Sequence, residues 1–209
     1  MGMPAVIDST LAVEWGVAAR AMDGQAVSGD IHAVAPTANG ILVAAVDGLG
    51  HGSEAAAAAE TAAETLTTYA DEPLPDIVLR CHEALRRTRG AVISIATFDA
   101  SRGTMTWIGI GNIDGTLFRA SPVARPNRET LLLRGGVVGY SLPHSRAATL
   151  PIAPGDTLVL ATDGIDSGFR HGSMQGGSVQ GLANDILLGH RRGTDDALVL
   201  IARYTGISR

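Results

Sequence analysis

The sequence predicts an α+β protein in which two antiparallel β-sheets pack face to face and helices cover the outer faces. Three observations lead there. Short strand-like segments come in consecutive runs. Pro and Gly punctuate those runs throughout, as expected where many strands meet at turns. The first two full helices are adjacent, whereas a doubly wound parallel sheet would need strand and helix to alternate.

The elements follow in order. Leu11–Ala19 mixes apolar and β-branched residues and reads as a strand. Gly40–Val46 is a short apolar run bounded by glycine, as a buried strand requires. His51–Ala70 is the clearest helix, starting near Ser53 with glutamates in its first turns, which suits the helix dipole. Its alanines let it lie close on a sheet. A second helix covers Leu74–Thr88, with Ile77, Val78, Cys81 and Leu85 at helical spacing. Ala91–Phe98 and Thr104–Ile110 alternate as strands. Gly115–Arg119 is a short strand after a turn at Asn112–Gly115. Thr130–Leu133, Ala147–Ile152 and Thr157–Ala161 continue the strand series. A third helix covers Val179–Leu188, and Ala197–Tyr204 closes as a strand.

Composition bounds the function. A chain of 209 residues with 45% hydrophobic and 18% charged residues can bury one proper core, so a single domain over residues 1–209 is expected. All 16 basic residues are arginine. The absence of lysine removes phosphate-loop ATPases, kinases and Schiff-base chemistry. A single cysteine, Cys81, makes neither an internal disulfide nor a Cys-paired zinc site, and its spacing places it in the core. The net charge of −5 gives no pull toward nucleic acid or an anionic membrane. Apolar runs such as Ile41 to Val46 are too short to span a bilayer. No basic residue precedes Arg20, and Asp8 and Glu14 come early, unlike a signal peptide. The expected location is the cytoplasm.

Four acidic spots share one local grammar. Asp30 sits in Val-Ser-Gly-Asp, and Asp47 begins Asp-Gly-Leu-Gly-His-Gly after the apolar strand. Asp163 follows Leu-Val-Leu-Ala-Thr and precedes Gly164. Asp195 and Asp196 precede Ala-Leu-Val-Leu. A carboxylate at a strand end is held by a rigid element, and a following glycine lets other groups approach. Several such carboxylates meeting at strand ends would repel one another unless a cation bound there. Hard oxygen donors without a Cys or His cluster point to magnesium or manganese. Asp-Gly is also a common turn dipeptide, and Asp23-Gly24, Asp114-Gly115 and Gly155-Asp156 read as turns. A dinucleotide cradle at Asp47–Gly52 fits poorly, because the spacing is G-x-G-x-G and a second helix follows where an acidic strand end belongs.

These motifs, in this order, resemble the SpoIIE-type branch of the metal-dependent serine/threonine protein phosphatases, the PPM superfamily. The resemblance runs from about Val27 to Ile201. The Trp107–Asn112 segment and the absence of a sensor or membrane region look most like its short, stand-alone, RsbX-type members of the stressosome. The resemblance implies the αββα four-layer sandwich of PPM phosphatases. It implies two Mn2+ or Mg2+ ions, with Asp47 bridging them and the Gly48 carbonyl assisting. Asp163 and Asp195 would hold the first ion and Asp30 the second, with Asp196 standing where many relatives carry asparagine. It implies hydrolysis of phosphoserine or phosphothreonine on STAS-domain stressosome proteins by a metal-bridging water.

Relatives from eukaryotes bind the substrate phosphate with an arginine near the N-terminus. Arg20 is the candidate here, with a solvated strand-end charge as its plain alternative. His51 either faces the site and donates a proton to the leaving oxygen, or caps the helix start. Arg86, Arg87, Arg89, Arg191 and Arg192 read as solvated helix-end charges. Two other functions stay open: a pseudophosphatase that binds a partner without turnover, and a small-molecule phosphohydrolase.

Overall fold

The strand Gly40–Gly48 sets the architecture, because its apolar residues serve two different cores. Residues 12–121, 123–144 and 146–206 are described by a computed structural model. Along this strand Ile41, Val43 and Ala45 point into a core between two sheets, while Leu42, Ala44 and Val46 point to a core beneath two helices. Period-two alternation with both faces apolar is what a strand inside a layered sandwich needs.

Ten strands and three α-helices are present among the described residues: β1 Val13–Arg20, β2 Asp30–Thr37, β3 Gly40–Gly48, α1 Ser53–Thr68, α2 Leu74–Leu85, β4 Ala91–Asp99, β5 Thr104–Ile110, β6 Asp114–Phe118, β7 Arg128–Thr130, β8 Ala148–Pro151, β9 Thr157–Ala161, α3 Val179–His190 and β10 Ala197–Tyr204. One sheet has the order β1-β10-β9-β6-β7 and the other β2-β3-β4-β5-β8. Every pairing between these strands is antiparallel.

Three apolar layers hold the sandwich. Ile41, Val43, Phe98, Met105, Leu160 and Leu200 fill the space between the sheets. Ala58, Ala62, Leu66, Ile77, Cys81 and Leu85 seat α1 and α2 on the second sheet. Val179, Ala183 and Ile186 seat α3 on Val159, Val199 and Ile201 of the first. The order is therefore helix, sheet, sheet, helix, as expected. Cys81 is fully buried there, and burial pushes its thiol up to about 12. No helix among the described residues is long and apolar enough to cross a membrane.

Three local readings are corrected. The strand β2 was not expected; its small alanines and Pro36 weaken the signal, yet Pro36 is tolerated because β2 is an edge strand. The strand expected at Thr130–Leu133 lies earlier, as β7. Asp114 is not a turn residue but opens β6, where its carboxylate pairs with Arg170 and accepts from the Thr116 hydroxyl. Leu11, the expected start of the first strand, lies outside the described residues.

Candidate active site

Asp30 and Asp47 are register partners on β2 and β3. Opposed like charges on neighbouring strands are unfavourable unless something neutralises them. Asp163 follows β9, and Asp195 and Asp196 lead into β10, the neighbour of β9. β10 also packs against β2 and β3 of the facing sheet. The four acidic spots of the sequence thus meet at one end of the sandwich, and Asp30 and Asp47 each feel the negative charge of Asp163, Asp195 and Asp196.

Glycines bring these segments close enough. A Cβ on Gly48 would stand 2.1 Å from the Ala55 carbonyl oxygen of α1. A Cβ on Gly164 would stand 1.9 Å from the Asp196 carbonyl oxygen. Neither backbone contact could yield to a side chain, so the Asp-Gly pairs at 47–48 and 163–164 are packing requirements as well as strand ends.

Asp47, Asp163 and Asp195 line an open cleft of about 580 Å3, whose walls include Gly50, His51 and Asn112. Asp30 and Asp196 are buried at 7% and 4% exposure. Burial, opposed only in part by the Thr162 hydroxyl, pushes the Asp30 carboxyl up to about 7. Burial first, and the charge of Asp30 second, push Asp47 up to about 8. Asp163 is raised by burial and by Asp195, while Arg192 and Asn112 pull the other way.

Each carboxylate has its own support. Thr162 Oγ1 donates to Asp30 Oδ2 at 2.7 Å and accepts from the Leu198 amide at 2.8 Å, which fixes the direction of its proton. Asn112 Nδ2 donates to Asp163 Oδ2 at 2.7 Å. Asp195 Oδ1 accepts from the Asp196 amide at 2.9 Å. Asp196 is different: Oδ1 accepts from the Met22 amide at 2.7 Å and Oδ2 from the Gly29 amide at 2.6 Å. Both oxygens are therefore committed to the backbone leading into Asp30. Arg191 holds the same stretch, donating to the Ala21 carbonyl and to Asp23. Its side chain is 14% exposed, so it is not a solvated helix-end charge.

Arg20 is exposed at the end of β1 and is not part of the cleft wall. His51 is exposed on that wall and does not cap α1, whose N-cap is Gly52 without a side-chain cap. The sequence reading assigned no role to Thr162 or Asn112. Thr162 could have been suspected, since a buried hydroxyl between an apolar strand and Asp163 must find partners.

Among the described residues, no three His, Cys, Asp or Glu side chains close around one point. The carboxylates border a cleft rather than forming a finished cage. Their chemistry nevertheless fits a hard divalent ion: the donors are oxygen, like-charged and held at strand ends.

The comparisons with known proteins agree with this layout. The chain is 23% identical over 186 residues to the phosphoserine phosphatase RsbX of Bacillus subtilis (strain 168), covering 88% of this chain and 90% of that protein. It is 31% identical, with a TM-score of 0.82, to a chain from a structure of the bacterial stressosome, described as a modular system adapted to control secondary messenger signalling; 91% of this chain and 99% of that one are covered. A crystal structure of RsbX in complex with magnesium superimposes with a TM-score of 0.82 at 22% identity, covering 92% of this chain and 96% of that one. The fold is that of the PPM phosphatases. The family profile of Stage II sporulation protein E (SpoIIE) matches residues 37–205, and the chain belongs to that family.

Proposed function

We propose that this chain is a divalent-cation-dependent protein phosphatase acting on phosphoserine or phosphothreonine. The observation that carries this reading is the convergence of aspartates from four separate segments beside one open cleft. A module that only bound a partner would have no use for buried carboxylates that oppose one another across strands.

Asp30, Asp47, Asp163, Asp195 and the Gly48 carbonyl are the groups we assign to two Mn2+ or Mg2+ ions. Such ions, when bound, supply an acidified water for in-line attack on phosphorus and offset charge on the phosphoryl oxygens. The chain's own residues prepare the site. Thr162 orients Asp30, and Asn112 orients Asp163. Asp196 and Arg191 hold the backbone that delivers Asp30. His51, the imidazole on the cleft wall, is assigned to proton delivery to the leaving serine oxygen.

The substrate we propose is a phosphorylated STAS-domain protein of a stressosome, and the compartment the cytoplasm. The likeness to RsbX and to the stressosome chain supports this choice. The test compares a phosphoserine STAS-domain protein, a phosphoserine peptide and a nucleoside monophosphate, each with manganese, magnesium or chelator. Metal-dependent release of phosphate from the protein and the peptide is expected. Turnover of the nucleotide alone would establish a small-molecule phosphohydrolase, and tight binding without turnover a pseudophosphatase.

A further inference from the structure

A phosphoryl dianion entering this cleft meets a wall of carboxylates. Among the described residues lining it, none is an arginine, and the chain has no lysine. A side-chain cation that joins the proposed metal ions on the phosphate must therefore reach in from beside the wall.

Arg89 is in that place. Its Nη1 stands 2.7 Å from where a Cβ on Gly50 would sit, and Gly50 is part of the cleft wall. Gly50 has a φ of +91°, a left-handed conformation that suits glycine. The missing side chain leaves the guanidinium room against the wall. Backbone contacts fix the approach: the Leu49 amide donates to the Gly90 carbonyl, and the Gly90 amide to the Thr88 hydroxyl, both at 3.0 Å. Arg89 Nε donates to Glu54 Oε2 at 2.5 Å, and Nη2 pairs with the same oxygen. One edge of the planar fork is thus held by α1, while Nη1 faces Gly50.

We propose that Arg89 binds the phosphoryl oxygens of the substrate at the cleft mouth, with Glu54 as its positioning partner. This rests on the phosphatase reading above. A guanidinium suits the task because its coplanar N–H groups match phosphate geometry, and its charge adds to that of the ions proposed on Asp47, Asp163 and Asp195. Arg20, exposed at the end of β1 and off the wall, is not needed for this role.

The experiment measures kcat and KM for a phosphoserine peptide and for p-nitrophenyl phosphate with manganese. It includes inhibition by inorganic phosphate and a thermal melt of each protein. Arg89→Ala should raise KM for both substrates and Ki for phosphate about tenfold or more, the scale of one lost charge-assisted contact. Arg89→Lys should recover part of that loss. Glu54→Gln, which breaks the ion pair but keeps the cation, should leave KM within about threefold of the parent, because only positioning is lost. Arg87→Ala, at the same helix end, should match the parent throughout.

Equal KM effects from Arg89→Ala and Glu54→Gln, with equal loss of melting temperature, would mean that Arg89 only braces α1, and would overturn the proposal. So would a KM raised for the peptide alone. A parent that turns over both substrates beside an unaffected Arg89→Ala refutes Arg89 and spares the phosphatase reading. A parent that hydrolyses neither substrate refutes both.

Discussion

Asp30 and Asp47 face each other directly across the antiparallel pair β2–β3, one buried and the other half-buried. Their carboxyls are pushed up to about 7 and about 8. A carboxyl raised in this way holds its proton more tightly without a cation and must release it to bind one.

The first prediction concerns Asp47→Asn. Asparagine keeps the shape and removes the charge proposed to hold both ions. Phosphatase activity with excess manganese should fall by several kcal/mol of transition-state stabilisation, the scale of lost metal catalysis. In chelator the variant should melt at or above the parent temperature, since an opposed charge is gone. Activity within a few-fold of the parent would remove Asp47 from the bridging role.

The second prediction is a pH dependence. Raised carboxyls bind protons more tightly in the folded chain than in the unfolded one, whose value is near 3.8. Their contribution to stability is full below about pH 4 and is lost as pH rises through about 7 to 8. Melting temperature in chelator should therefore decline across that window from these two groups. Asp47→Asn should flatten the decline. A slope equal to the parent's would contradict burial and mutual repulsion of this pair as its cause.

A third prediction links cation and stability. A cation that binds the folded site and not the unfolded chain adds about 2.7 kcal/mol at a hundred times its dissociation constant, and manganese is expected to do so here. Asp163→Asn should blunt the rise in melting temperature. Asp185→Asn, on the exposed face of α3, is the fitting control, because Asp114 is tied to Arg170. A parent indifferent to millimolar manganese would count against the metal assignment.

The fourth prediction separates Asp196 from its neighbours. Its two oxygens accept from the Met22 and Gly29 amides. An asparagine has one acceptor oxygen and would turn its NH2 toward the other N–H. Asp196→Asn should therefore cost about 1–3 kcal/mol in denaturant unfolding, the scale of a buried donor left unpaired. Unchanged stability would show that the clamp is not needed.

The layers were legible because β3 is an unbroken apolar run, because β4 and β5 alternate, and because α1 and α2 adjoin without a strand between them. The acids were legible from their shared place at strand ends. The supports were not. Asn112 lies 51 positions from Asp163 in the chain, and Asp196 lies 167 from Gly29; only the folded register makes them neighbours. Arg191 looked like a solvated charge because sequence shows the helix end and not what lies across from it.

The place of β10 bears on how the protein is born. It lies between β1 and β9, pairing Val13 with Tyr204 at one edge and Leu200 with Leu160 at the other. A ribosome releases the chain from its N-terminus, so the first sheet stays split until this strand has emerged. Asp195 and Asp196 come out with it. Until then the nascent chain lacks both the strand that joins β1 to β9 and two carboxylates of the acidic cluster, so the first sheet and the cluster are completed together.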